Sequence, residues 1–147
     1  MLQLKDKNNM SCGLDVGYEI CNAQSQLFLY AIRKDYDEED FIKKYMTSGF
    51  CNHKMDASYN RFQLMNPAYI MSYLLDEITP EKNDRHYDEN TIEWIGWMYR
   101  YTQLRLEIPS KQIYETLPLN DMLCYYKGMR TEDAEYFISH IAKKFRI

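Results

Sequence analysis

Glu93-Trp94-Ile95-Gly96-Trp97-Met98-Tyr99-Arg100-Tyr101 gathers both tryptophans of the chain, two tyrosines, a glycine and an arginine into nine residues, under three turns at about 3.6 residues per turn. A helix that faces water keeps a polar back. This one is apolar or aromatic nearly all round, so it reads as the central helix of a small domain. Asn90, with Glu93 three residues on, has the form of a capping box and marks where the helix opens. Its end falls near Glu107, because Ile108-Pro109 turns the chain away from helical geometry.

Other helices follow from the same signals on either side. Toward the N-terminus, Asp15 offers an N-cap for a helix over residues 15–34 that buries Ile20, Ala23, Leu27, Tyr30 and Ala31 at spacings of three and four, with Cys21, Phe28 and Ile32 widening the stripe. Asp37 caps a second helix with Glu38, Glu39 and Asp40 in its first turn, where the helix dipole favours anions, and with Phe41, Ile42 and Tyr45 inward. Ser48-Gly49 stops it. Residues 50–59 show no clean period and read as a loop or broken turn, and residues 61–65 are too short to assign. Asn66 caps a third helix with Pro67 at its first position, running to about Ile78 before Thr79-Pro80. Residues 81–89 form the most polar internal run and the exposed connector.

Beyond the central helix, Ser110 offers an N-cap for a short helix over residues 111–116, Asn120 caps another that ends at Gly128, and Thr131 caps the last, which buries Ala134, Phe137, Ile138, Ile141 and Phe145. The expected fold is therefore all-α, a single compact domain of six or seven mostly short helices around the aromatic one. It occupies residues 13–147 behind a flexible tail of residues 1–12, a common condition of untethered termini. A chain of 147 residues suits one core.

Composition narrows the functions. The formal charge of −4 argues against a sequence-independent grip on nucleic acid, which needs a basic face to release counterions. Lys143, Lys144 and Arg146 do close the chain, but cations in a last helical turn complement the dipole. No apolar run reaches the roughly 18 to 20 residues that span a bilayer, and the start lacks an apolar signal core, so a cytosolic protein without a membrane partner is expected. Fourteen tyrosines are the compositional excess, and they fit either a wet-edged core or a sticky surface.

Chemistry-bearing clusters are sparse. Cys12, Cys21, Cys51 and Cys124 are irregularly spaced without a CxxC pair, which excludes a zinc ribbon. Cys51-Asn52-His53 supplies two metal-ligand types with no marked completion, and no signature brings a cysteine to a histidine for nucleophilic catalysis. The acidic residues stand mostly at helix starts, where capping explains them. Walker and GxGxxG loops are missing, and no cofactor is expected.

Arg100 asks for an explanation, because Trp97, Met98, Tyr99, Tyr101 and Leu104 around it imply burial, and a buried guanidinium must be paired. Gly96, one turn earlier on the same face, costs about 1 kcal/mol relative to Ala in a helix and implies close packing. One reading is a helix crossing at Gly96 with Arg100 satisfied by a carboxylate or by helix-end carbonyls. The other is an aromatic and arginine surface that grips a partner protein.

The order Trp94-Ile95-Gly96, Tyr99-Arg100-Tyr101, Ser110-Lys111, Ile113-Tyr114, then Tyr125, Gly128 and Thr131 resembles the C-terminal part of small bacterial antitoxin-like proteins associated with loci of ADP-ribosyltransferase-like toxins. Thr102 stands where an aromatic residue is expected after Tyr101, and Met129-Arg130 where a polar and aromatic pair is expected before Thr131. The resemblance implies a non-catalytic antitoxin or immunity protein that neutralises a partner protein, an ADP-ribosyltransferase-like toxin, by direct binding. The expected partner-contact residues are Trp97, Tyr99, Arg100, Tyr101, Lys111, Tyr114, Tyr125 and Tyr126. Two other expectations stand beside it: an enzyme or nucleotide-binding protein with a pocket lined by Tyr and Arg, and a mobile-element or prophage regulator acting on host proteins.

Overall fold

Seven α-helices follow one another along the chain in the computed structural model, which describes residues 12–57 and 60–146: α1 Cys12–Arg33, α2 Glu38–Met46, α3 Pro67–Leu74, α4 Glu89–Leu106, α5 Ser110–Thr116, α6 Leu119–Met129 and α7 Ala134–Ile141. A π-helical turn, Cys51–Met55, and two 3-10 turns, Arg61–Leu64 and Ala142–Phe145, complete the helical elements, and no strand occurs among the described residues. The all-α expectation holds. The expected tail falls outside the described residues except for Cys12, which is already helical, so α1 passes through Asp15 instead of being capped by it.

The two longest helices, α1 and α4, form the most extensive helix pair. They are held close by a missing side chain. A Cβ placed on Gly96 would lie 2.9 Å from the Ser25 Cα, 3.1 Å from the Phe28 ring and 3.2 Å from the Gln24 carbonyl oxygen. Only glycine lets the backbones approach this far, which accounts for its position in a helix interior where it otherwise costs stability. Around the crossing a single buried cluster runs from Leu27 and Phe28 through Phe41, Tyr45 and Ile70 to Ile95, Tyr99, Ile113 and Phe137. The Phe28 ring meets the edges or faces of Phe41 and Tyr45 at 5.9 and 5.6 Å, both nearly perpendicular, a favoured aromatic geometry.

Several boundaries differ from the sequence expectation, each for a local reason. The Asp37 cap is as expected, its carboxylate accepting the Asp40 N–H at 2.9 Å. Asn66 likewise caps α3, but that helix ends at Leu74 because its last turn tightens to bonds such as Glu77 N–H to Leu74 C=O as the chain nears Pro80. Asp88, not Asn90, caps α4, so Asn90 is already helical and donates its N–H to the Asp88 carboxylate at 3.0 Å. Pro118 precedes α6 in the cap position expected of Asn120, Gly128 lies inside that helix, and Asp133 takes the role expected of Thr131 before α7.

Residues 50–57 are the largest surprise. The aperiodic stretch is a π-helical turn whose polar side chains reach out to cap another helix: Asp56 accepts the Ser110 N–H at 2.8 Å and Asn52 accepts the Lys111 N–H at 3.0 Å. Ser110 is therefore the first residue of α5, and its hydroxyl donates to Asp56 at 2.6 Å. A long-range cap of this kind satisfies orphan N–H groups without any local motif. Gly49 and Phe50 are fixed in turn by the Glu77 carboxylate, which accepts both their N–H groups, at 2.5 and 2.8 Å.

Candidate protein-binding groove

Arg100 is fully enclosed, and its fork is saturated from within the chain. One terminal nitrogen donates to Asp56 at 2.6 Å and to Gln103 at 2.9 Å, while Nε and the other terminal nitrogen donate to the Gln24 amide oxygen at 3.1 and 2.8 Å. Gln24 is itself oriented, because its amide nitrogen donates to the Gly96 carbonyl at 2.9 Å and its oxygen also accepts the Tyr45 hydroxyl at 2.7 Å. The Gly96 crossing and the Arg100 network are thus one device, in which the close approach of the helices brings Gln24 within reach of both. Burial pushes the guanidinium pKa down, but the acidic groups around it, Tyr45, Cys51 and Asp56, outweigh that and keep it cationic. Burial raises the Cys51 thiol against the opposing pull of Arg100, and pushes the Cys21 thiol up to about 12, so both are held as neutral core thiols.

This placement separates the eight residues expected to contact a partner. Tyr99 and Arg100 are completely buried and Tyr114 nearly so, with the Tyr99 hydroxyl donating to the Leu117 carbonyl at 2.6 Å. Such side chains offer a partner no surface. Tyr101 is partly buried, stacked on Trp97 at 5.0 Å between ring centres and hydrogen-bonded to Glu135. Tyr125 turns its edge to Phe137 at 5.5 Å, and Lys111 is exposed at the start of α5. Only Trp97 and Tyr126 come together at an open concavity.

That concavity is a groove of about 590 Å³ between α1, α4 and the α6–α7 corner. Its apolar lining is Trp94, Trp97, Met98 and Tyr126, and its polar lining includes Asn22, Asn90, Glu93, Arg130, Glu132 and Asp133. The rings are held in place. The Trp97 indole N–H donates to the Asn22 side-chain oxygen at 2.8 Å, and Trp94 meets the edges of Tyr126 and Phe137 at 5.5 and 5.6 Å. Trp94 and Trp97 are both half-buried, so each keeps part of its ring at the surface. The sequence pattern shields both tryptophans in the central helix and does not single out Asn22, Glu93, Glu132 or Asp133 as contact residues. The available signal was the acidic turn Glu132-Asp133 following Tyr126 and Arg130.

A second concavity, of about 460 Å³, lies toward the C-terminal end of α4, where Asn52, Asp56, Gln103 and Glu107 are among its lining residues. It is the solvent edge of the Arg100 network. Among the described residues no group of three or more His, Cys, Asp or Glu side chains is arranged to hold a metal ion, and no helix is long and apolar enough to cross a membrane. No protein family, curated protein or solved structure matches the chain.

Proposed function

We propose that this protein is a non-catalytic binding protein of the antitoxin or immunity type, which neutralises a partner protein by direct contact through the groove between α1, α4 and the α6–α7 corner. The observation that carries the reading is the groove's lining: two tryptophans and a tyrosine with fixed rings and accessible surface, next to polar side chains that leave room for a partner. Rigid aromatic anchors surrounded by polar groups are the side chains that dominate binding energy at protein interfaces. The resemblance to antitoxin-like proteins of ADP-ribosyltransferase-like toxin loci supports the finer assignment, since Trp94 and Thr131, at the two ends of the resembling stretch, both line the groove. Gly96, Tyr99, Arg100 and Ser110, also in that stretch, serve the scaffold that positions it. Arg100 itself is enclosed and takes no part in any open site, while Tyr126 and Arg130 both line the groove.

Co-expression tests the reading. The protein encoded by the adjacent gene should arrest growth when produced alone, and this chain should restore growth at near-equimolar amounts through a complex that survives purification. Rescue far below one-to-one would overturn neutralisation by occupancy. A neighbour harmless on its own would overturn the antitoxin assignment.

A further inference from the structure

The charges around the groove are unbalanced. Three carboxylates, Glu93, Glu132 and Asp133, line it against a single guanidinium, Arg130. Asp133 is partly committed, because its carboxylate accepts the Tyr136 N–H at 3.0 Å and caps α7. Glu93 and Glu132 are exposed, and neither makes an ion pair among the described residues. Glu93 acts on Arg33 only through space, while Arg33 itself is paired with Glu89 at 2.6 Å. The one cation of the lining does not neutralise them either. Arg130 forms no ion pair among the described residues and lies with its guanidinium 5.7 Å from the centre of the Tyr126 ring.

We infer that the groove takes a protein segment that presents a lysine or arginine beside an apolar residue, the apolar side chain against Trp94 and Trp97 and the cation toward Glu93 and Glu132. The inference rests on the reading of this groove as the partner-binding face, and it adds the chemistry of the occupant. Aromatic rings attract a cation through the negative potential of their faces, and carboxylates at the rim complement its charge. Arg130 on Tyr126 is the same arrangement made within the chain, so the aromatic wall accepts a guanidinium in the unbound protein. An acidic occupant would meet unpaired carboxylates of its own sign. A purely apolar one would leave those carboxylates facing it without partners, which costs specificity at an interface edge.

Both tryptophans of the chain line this groove, so their emission reports its occupancy directly. A library of random twelve-residue peptides displayed on phage is panned against the intact chain, and the enriched peptides are synthesised and titrated by tryptophan fluorescence. Enriched peptides should carry a Lys or Arg next to an apolar residue and shift the emission on binding. Glu93→Lys combined with Glu132→Lys should weaken them by about tenfold or more, whereas Arg130→Ala should tighten them by removing the resident competitor. These positions are exposed, and an unchanged circular dichroism spectrum confirms that the variants fold. Peptides without a cation, equal affinity for the doubly reversed variant, or no enrichment at all would each overturn the inference. Because no toxin enters this experiment, failure of growth rescue would count against the antitoxin reading while the peptide result stood, and the converse outcome would remove the cationic occupant alone.

Discussion

Two stripes of α4 treat the same kinds of side chain in opposite ways. Along one, Gly96, Arg100 and Gln103 close against α1 and the π-helical turn, with Arg100 fully enclosed and its guanidinium paired from within the chain. Along the other, Trp94 and Trp97 stop short of closure and line a groove. The difference lies in what each stripe faces. The first meets the interior of another long helix, where Ser25 and Gln24 present backbone and a single amide; the second runs between α1, where Asn22 accepts the Trp97 indole N–H, and the short α6–α7 corner, which leaves an open volume. A buried arginine therefore marks the scaffold here, and half-buried tryptophans mark the open groove.

The closed stripe should be broken most severely at its charge. Arg100→Met strips Asp56 of its guanidinium, and removing one member of a buried pair costs about 3 to 5 kcal/mol because the remaining charge stays uncompensated. Urea unfolding should show this loss directly. The same denaturation midpoint as the parent protein would mean that the network is ornamental and that the contrast between the stripes has been misassigned.

The open stripe should respond in the opposite currency. Trp97→Ala removes a ring from the groove and should weaken the partner complex by about 2 kcal/mol or more, the scale of an interface hot spot, while the folded protein remains intact by circular dichroism. Isothermal titration with the purified partner reads the effect. Binding that survives the loss of Trp97 would move the contact face elsewhere.

At the crossing itself, Gly96→Ala should destabilise by about 1 to 3 kcal/mol, although alanine in a free helix would be the better residue by about 1 kcal/mol. The added methyl meets the Ser25 backbone at 2.9 Å, and a backbone cannot swing aside as a flexible side chain does. A thermal melt at or above that of the parent would show that α1 and α4 can separate slightly without loss.

How much of this was readable beforehand follows the same division. The helical periods, the caps at Asp37 and Asn66, the inward faces of α2 and α7, and the close packing at Gly96 were legible, because each depends on residues a few positions apart. The pairing of Arg100 was expected, but its partner was not nameable, because Asp56 sits in an aperiodic stretch whose π-helical turn is stabilised by contacts with Ser110 and Lys111 more than fifty residues away. The eight expected contact residues follow from residue type and from the stretch that resembles antitoxin-like proteins. Type cannot tell Tyr99, sealed against Leu117, from Tyr126, at the groove, since the distinction lies in which helix happens to cover each ring.

The smallest expected effect sharpens the comparison through pH. The closed stripe holds its thiols and its Tyr45 hydroxyl neutral well above the neutral range, Cys51 and Tyr45 both being raised chiefly by burial, so it should contribute no pH dependence there. His86, in the connector that leads into α4, is different. Its side chain is 18% exposed, and its two ring nitrogens lie 3.1 Å from Glu38 and from Asp35. Burial pushes its pKa down, but the hydrogen bonds and charges of Glu38 and Asp35 outweigh it, and the net shift is upward. A folded-state pKa above the unfolded value of about 6.5 means that the imidazolium contributes stability in full below that pH and loses it as pH rises through the folded value. Asp37 nearby, held below the usual carboxylate range by hydrogen bonds from the Asn83 amide and the Asp40 N–H, acts in the opposite sense and loses its contribution only as acid protonates it. Unfolding free energies at pH 5.5 and 8.5 should therefore differ between the parent and His86→Asn at the lower pH and converge at the higher, by less than about 1 kcal/mol for a partly exposed pair. If the pH dependence instead persisted in His86→Asn and vanished with Arg100→Met, the titrating group would belong to the closed stripe, and its enclosure would not be what keeps it silent.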